Sequence, residues 1–193
     1  MPYTKRFDDA LLLAHEMHRQ QIRKGTQIPY VSHLLAVTAI VMENGGTEEE
    51  AMAAVLHDAI EDQGGPKARE TIRARLGDGV TAIVDGCTDA ETIPKPPWRQ
   101  RKEKYVAHVA HAPASVRLVS SADKLHNSRC LLIDYRVLGD VLWSRFSGGK
   151  DGTLWYYRAL IEAFRKAEPD PRVTGIVDEL DRVVTELERL AQR

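Results

Sequence analysis

Residues 56–63 read LHDAIEDQ and follow the apolar run AMAAVL at 51–56. The run predicts a buried helix, yet His57, Asp58, Glu61 and Asp62 put ionisable groups on its continuation. A buried carboxylate without a partner is costly, so these groups require ion partners, a metal or open water. On a continuous helix, residues i and i+4 share a face, which sets His57 below Glu61 and Asp58 below Asp62. The adjacent imidazole and carboxylate can converge on one point, with the other two acids flanking it. This layout suits a divalent cation and an oriented water. Two ligands bind weakly, so others must come from elsewhere in the chain.

His33, in YVSHLLAV, is one candidate. Asp123, in VSSADKLHNSR, is another, because an acid there interrupts the apolar approach of Val116, Leu118 and Val119. His33, His57, Asp58 and Asp123 make a nitrogen–oxygen set of the kind that holds Mn²⁺, Fe²⁺ or Zn²⁺. Each residue alone has a plainer reading as a satisfied core or surface group; the combination points to a metal.

The chain has 193 residues, 43% of them hydrophobic, which suits one domain over 1–193. Its core is expected over about 5–167, with a C-terminal amphipathic helix over about 172–192. Lys and Arg number 27 against 28 Asp and Glu, so nothing global favours nucleic acid or a membrane surface. No stretch approaches the roughly 20 apolar residues of a spanning helix, and the N-terminus lacks a signal-peptide core. Cys87 and Cys130 form no CxxC unit, which fits a reducing, cytoplasmic setting.

Helical periodicity runs through the sequence and no strand pattern competes with it, so the fold class is all-α. Helices are expected over 5–24, then over 30–42 with Ser32 as N-cap. A third should run from a Thr47–Glu50 capping box to Gly64. Others are expected near 66–76, 78–87, 99–112, 115–133 and 153–167. Thr92–Pro97, with three prolines, should be a loop, and Ser147–Gly152 a flexible stretch. From Arg172, the stripe Ile176, Leu180, Val183, Leu187 and Leu190 is expected to dock on the same core. A homodimer through that helix is the less favoured use.

Four segments together resemble the HD-domain metal-dependent phosphohydrolases. They are IRKGTQIPYVSHLLAV (22–37), AAVLHDAIEDQ (53–63), LGDGVTAIVDGCTD (76–89) and SADKLHNSR (121–129). The closer resemblance is to the hydrolase domain of the RelA/SpoT alarmone enzymes and their small stand-alone, Mesh1-like relatives. It implies an HD-domain helical bundle with His33, His57, Asp58 and Asp123 as ligands, usually to Mn²⁺, with other divalent transition metals allowed. Glu61 and Asp62 match the pair that activates or orients the attacking water. Arg23-Lys24 matches a pair that contacts the nucleotide, and Asn127 an asparagine near ribose and phosphates. The chain departs from the family at His33-Leu34, where His-Pro is common, and at Cys130, where Thr or another small or polar residue is common.

Further substrate contacts are sought in the basic cluster Arg99–Lys104, with Lys102 as a phosphate cation, and in LWYYR (154–158), with Tyr157 and Arg158. Their plainer readings are a solvated helix face and core aromatics; Trp155 is assigned to the core.

The resemblance implies hydrolysis of the 3′-pyrophosphate of a guanosine or adenosine polyphosphate. Two other readings stay open. An HD phosphohydrolase could act on NADPH or a nucleoside phosphate, and an HD scaffold could serve as a non-catalytic nucleotide-binding regulatory module. The length leaves no room for a synthetase domain, so a hydrolase without one is expected.

Overall fold

Helix α1 (Lys5–His18) opens where the Thr4 hydroxyl accepts from the Arg6 amide at 3.2 Å. Helices α2 (Val31–Glu43) and α3 (Glu48–Leu56) follow, then α4 (Ala59–Asp62), α5 (Pro66–Leu76) and α6 (Asp78–Cys87). After these come α7 (Trp98–Val109), α8 (Ala114–Leu138), a 3-10 helix (Gly139–Arg145), α9 (Gly149–Lys166) and α10 (Pro171–Ala191). The computed structural model describes residues 3–90 and 94–192. Among them there is no strand, only an isolated antiparallel bridge between Ile22 and Pro29.

Helix α8 is the axis of the bundle and packs against α2, α3, α6, α9 and α10. Every side chain from Val116 to Asp123 is buried. The AMAAVL run of α3 is buried throughout, as its composition predicts. On α10, Ile176, Leu180, Val183 and Leu187 are buried against α8 and α9, with Leu190 half-buried. Each such aliphatic side chain contributes roughly 1.5–3 kcal/mol. The Thr47 capping box is present: Thr47 Oγ1 accepts from the Glu50 amide at 3.3 Å, and Glu50 accepts from the Thr47 amide at 2.7 Å.

Four local expectations are corrected. Helix α1 ends at His18 rather than 24, because the next residues turn back: Arg23 donates its amide to Ile28 and Tyr30 to Gln21, both at 2.9 Å. Tyr30, not Ser32, precedes α2, and the Ser32 hydroxyl donates to the Pro29 carbonyl. The third helix is interrupted at His57-Asp58, where Asp58 has ψ near −1°. The stretch expected to be flexible is largely the start of α9. Its Gly148 and Gly152 make room for the Trp98 ring, since a Cβ on Gly148 would lie 2.6 Å from the indole. Of the predicted loop at 92–97, Thr92 and Ile93 lie outside the described residues, and Pro94–Pro97 is non-helical.

Candidate active site

The break after α3 turns His57 and Asp58 towards His33, in the first turn of α2, and Asp123, midway along α8. His33 Nε2 lies 3.5 Å from Asp58 Oδ2 and 3.2 Å from Asp123 Oδ1. His57 Nε2 lies 3.0 and 3.5 Å from the same two oxygens. Ligand atoms of His33, His57 and Asp58 fall within 4.8 Å of one another, and Asp123 closes the set from α8.

Both imidazoles are buried, and neither Nε2 makes a hydrogen bond. His57 Nδ1 donates to the Ala54 carbonyl at 2.8 Å, which leaves Nε2 facing the carboxylates. Two orphaned imidazole nitrogens between two acids fit a borderline divalent cation. Burial alone would lower the His57 pKa, but Asp58 and Asp123 outweigh it and hold it well above the ordinary value. Burial would raise Asp58 and Asp123; His57 holds the first well below the carboxylate range and Lys124 does the same for the second.

The surrounding contacts fix these ligands. Tyr30 donates to Asp58 Oδ2 at 2.6 Å, Lys124 to Asp123 Oδ2 at 2.5 Å, and Asn127 to Asp123 Oδ1 at 2.5 Å. His33 Nδ1 meets His126 Nδ1 at 2.7 Å. His126 is kept neutral, its pKa pushed down to about 4 by burial and by His33. The plain i, i+4 stacking expected of a continuous helix gives way to a division of labour. Glu61 turns away from the imidazoles to Lys95 Nζ at 2.6 Å, and Asp62 accepts from Gln21 at 2.9 Å. Burial and the neighbouring Asp58 raise the Asp62 pKa.

A cavity of about 670 Å³ is walled in part by Tyr30, Lys124, His126 and Asn127, each of which contacts one of the candidate ligands. Its wall brings together Arg23, Lys24, Lys102, Asn127, Tyr157 and Glu61 from the sequence-derived set. Arg23 and Lys24 sit in the turn between Ile22 and Pro29. Gly25 there has φ +74°, and a Cβ on it would strike Arg145 at 2.7 Å. Arg23 Nη2 donates to Asn127 at 3.0 Å, while its Nη1 is buried without a partner. Arg101 and Lys102 both donate to Asp89, whose side chain is 4% exposed, at 2.5 Å, which fixes two cations on the cavity wall. Arg158 is not part of this wall. It is clasped by Asp181, Thr185 and Glu188 of α10 and serves packing between α9 and α10.

Several residues at or behind the wall were not singled out from the sequence. Tyr156 has a buried hydroxyl without a partner, and Arg145 comes from the 3-10 helix. Asp89, Tyr30 and Lys124 act through contacts made at long range or beside an assigned ligand. Cys130 lines the cavity, where the resemblance puts a substrate neighbour.

The family model of the HD domain matches residues 10–137, and the chain belongs to that family. A guanosine-3′,5′-bis(diphosphate) 3′-pyrophosphohydrolase MESH1 of Xenopus tropicalis is 39% identical over 132 residues, covering 64% of this chain and 71% of that protein. Within the family, this chain is a Mesh1-like hydrolase. A GTP pyrophosphokinase of Streptomyces coelicolor is 36% identical over 129 residues, 66% of this chain but 15% of that much longer enzyme. A solved structure described as a metazoan ortholog of SpoT that hydrolyzes ppGpp superposes with a TM-score of 0.78 at 25% identity, covering 97% of this chain and 98% of that one. No helix among the described residues is long and apolar enough to cross a membrane.

Proposed function

We propose that the chain hydrolyses the 3′-pyrophosphate of a guanosine or adenosine polyphosphate alarmone, with Mn²⁺ held by His33, His57, Asp58 and Asp123. The observation that carries this reading is the unpartnered Nε2 pair of His33 and His57, set beside a cavity whose walls carry several cations. When bound, the cation supplies Lewis-acid polarisation of the phosphate and acidifies water.

The remaining work falls to the chain's own side chains. Glu61, on the cavity wall, accepts the proton of the attacking water; Asp62, held by Gln21, supports its orientation. The water oxygen bonds to phosphorus as the bond to the 3′ oxygen breaks, and the 3′ oxygen takes up the proton that Glu61 received, giving pyrophosphate and a free 3′ hydroxyl. Lys102 and Lys124 offset charge developing on the phosphates. Arg23 offers a plane for a purine to stack on, and Lys24, Asn127 and Tyr157 position the sugar and phosphates. The two free cysteines agree with a cytoplasmic setting.

The decisive experiment incubates purified protein and Mn²⁺ with ppGpp, ppApp and NADPH in parallel. Pyrophosphate release from either alarmone supports the proposal. Phosphate release from NADPH alone moves the substrate to a dinucleotide, and no release from any of the three overturns the hydrolase reading.

A further inference from the structure

The two imidazoles of the metal set are supported in different ways. His57 gives its Nδ1 proton to a backbone carbonyl, Ala54, which no side-chain substitution removes. His33 has a side chain in that place: its Nδ1 lies 2.7 Å from His126 Nδ1, with ring centroids 4.9 Å apart. Nε2 of His33 faces Asp58 and Asp123, so the lone pair must be there and the proton on Nδ1 when a cation binds. Nδ1 of His126 must then be the acceptor, and its own proton sits on Nε2, 3.7 Å from Cys130 Sγ on the cavity side.

Metal-binding histidines ordinarily hand their second proton to a carboxylate, a backbone carbonyl or water, and that partner fixes both tautomer and ring orientation. A neutral imidazole in this position is a less common acceptor. His126 lies three residues after Asp123 on α8, the helix that supplies the fourth proposed ligand, so α8 meets the centre both through Asp123 and, by way of His33, through His126. We propose that His126 is a positioning residue, which holds His33 in its metal-binding tautomer through this imidazole–imidazole hydrogen bond.

The inference rests on the metal-site reading but not on the identity of the substrate. Its test is a titration with Mn²⁺ alone, following free ion by electron paramagnetic resonance. It compares wild type, His126→Phe and His126→Asn, with helical content and melting checked for each. The phenyl ring fills the space without accepting a proton, and a loss of about 10–100-fold in affinity is expected. The asparagine carbonyl can take the place of Nδ1, so most of that loss should be recovered. Affinity of His126→Phe within about twofold of wild type would overturn the proposal, and so would an equal loss in both variants, which indicates packing rather than proton acceptance.

Nitrogen-15 spectra of labelled histidines supply a second reading independent of loading. His33 should carry its proton on Nδ1 in wild type and in His126→Asn, and lose that preference in His126→Phe. A wild type that binds no Mn²⁺ would defeat the metal-site reading, while the tautomer of His33 would still decide this inference: protonation on Nε2 in wild type overturns it.

Discussion

Arg23 donates to the side-chain oxygen of Asn127 at 3.0 Å, and Asn127 donates onward to Asp123. A turn near the N-terminus is thereby tied to the helix that carries Asp123, a proposed metal ligand. Because Arg23 touches the ligand only through Asn127, Arg23→Ala should raise KM for the nucleotide by tenfold or more, about 1.4 kcal/mol, while Mn²⁺ content stays at the wild-type level. Steady-state kinetics with metal analysis checks this; loss of metal in Arg23→Ala would show that the turn supports the centre directly.

Glu61 faces the cavity and the Lys95 ammonium, not the imidazoles. Glu61→Gln should lower kcat by about 10²–10⁴-fold with metal content and melting temperature unchanged. Turnover within a few fold of wild type would remove Glu61 from proton transfer.

Tyr30 donates a 2.6 Å hydrogen bond to Asp58, and burial followed by the Asp58 charge pushes its own pKa far up. Tyr30→Phe leaves the shape and deletes that bond to a charged acceptor, a change on the order of 1.5–3 kcal/mol. Thermal melts and Mn²⁺ titrations of the variant should both show it, as a lower melting temperature and weaker binding.

The metal-free protein should lose stability on alkalinisation. His57 is buried, which lowers its pKa, but Asp58 and Asp123 raise it well above 6.5. A raised imidazole contributes stability that is complete below its unfolded pKa and is lost as pH climbs through its folded value. In EDTA the melting temperature should therefore fall from about pH 6.5 upward, and saturating Mn²⁺ should remove that fall by replacing the proton. Asp58 and Asp123, held low, act only at the acid end. A flat profile in EDTA across this alkaline range would contradict the shared-proton geometry.

Thr47→Ala removes half of the capping box ahead of α3. The expected loss is about 1 kcal/mol, or roughly 2–4 °C in melting temperature for a chain of this size. A differential scanning experiment resolves it, and kcat should be unaffected.

Much of the architecture was legible because it is local. The AMAAVL run, the Thr47 cap and the stripe on α10 each express periodicity or capping within a few residues. The proposed metal set could be assembled because His57-Asp58 is contiguous and Asp123 breaks an apolar run, and the fold brings these side chains together with His33. Other features depend on partners far along the chain. Periodicity continues smoothly through Ile22, so nothing local shows that the strand-like bridge to Pro29 ends α1 early. Arg158 looks like a ligand contact until Asp181 and Glu188 on α10 are seen to hold it. The glycines of 148–152 read as flexibility, whereas Gly148 and Gly152 accommodate a tryptophan from α7.

The bond from His57 to Ala54 has a consequence for how the centre is charged with its ion. Anchored to the last turn of its own helix, the ring already presents the correct nitrogen before any cation arrives. With the proposed cation, filling the site would then require the departure of a proton rather than the rotation of a ring, so its uptake should follow pH more closely than any rearrangement of the His57 side chain.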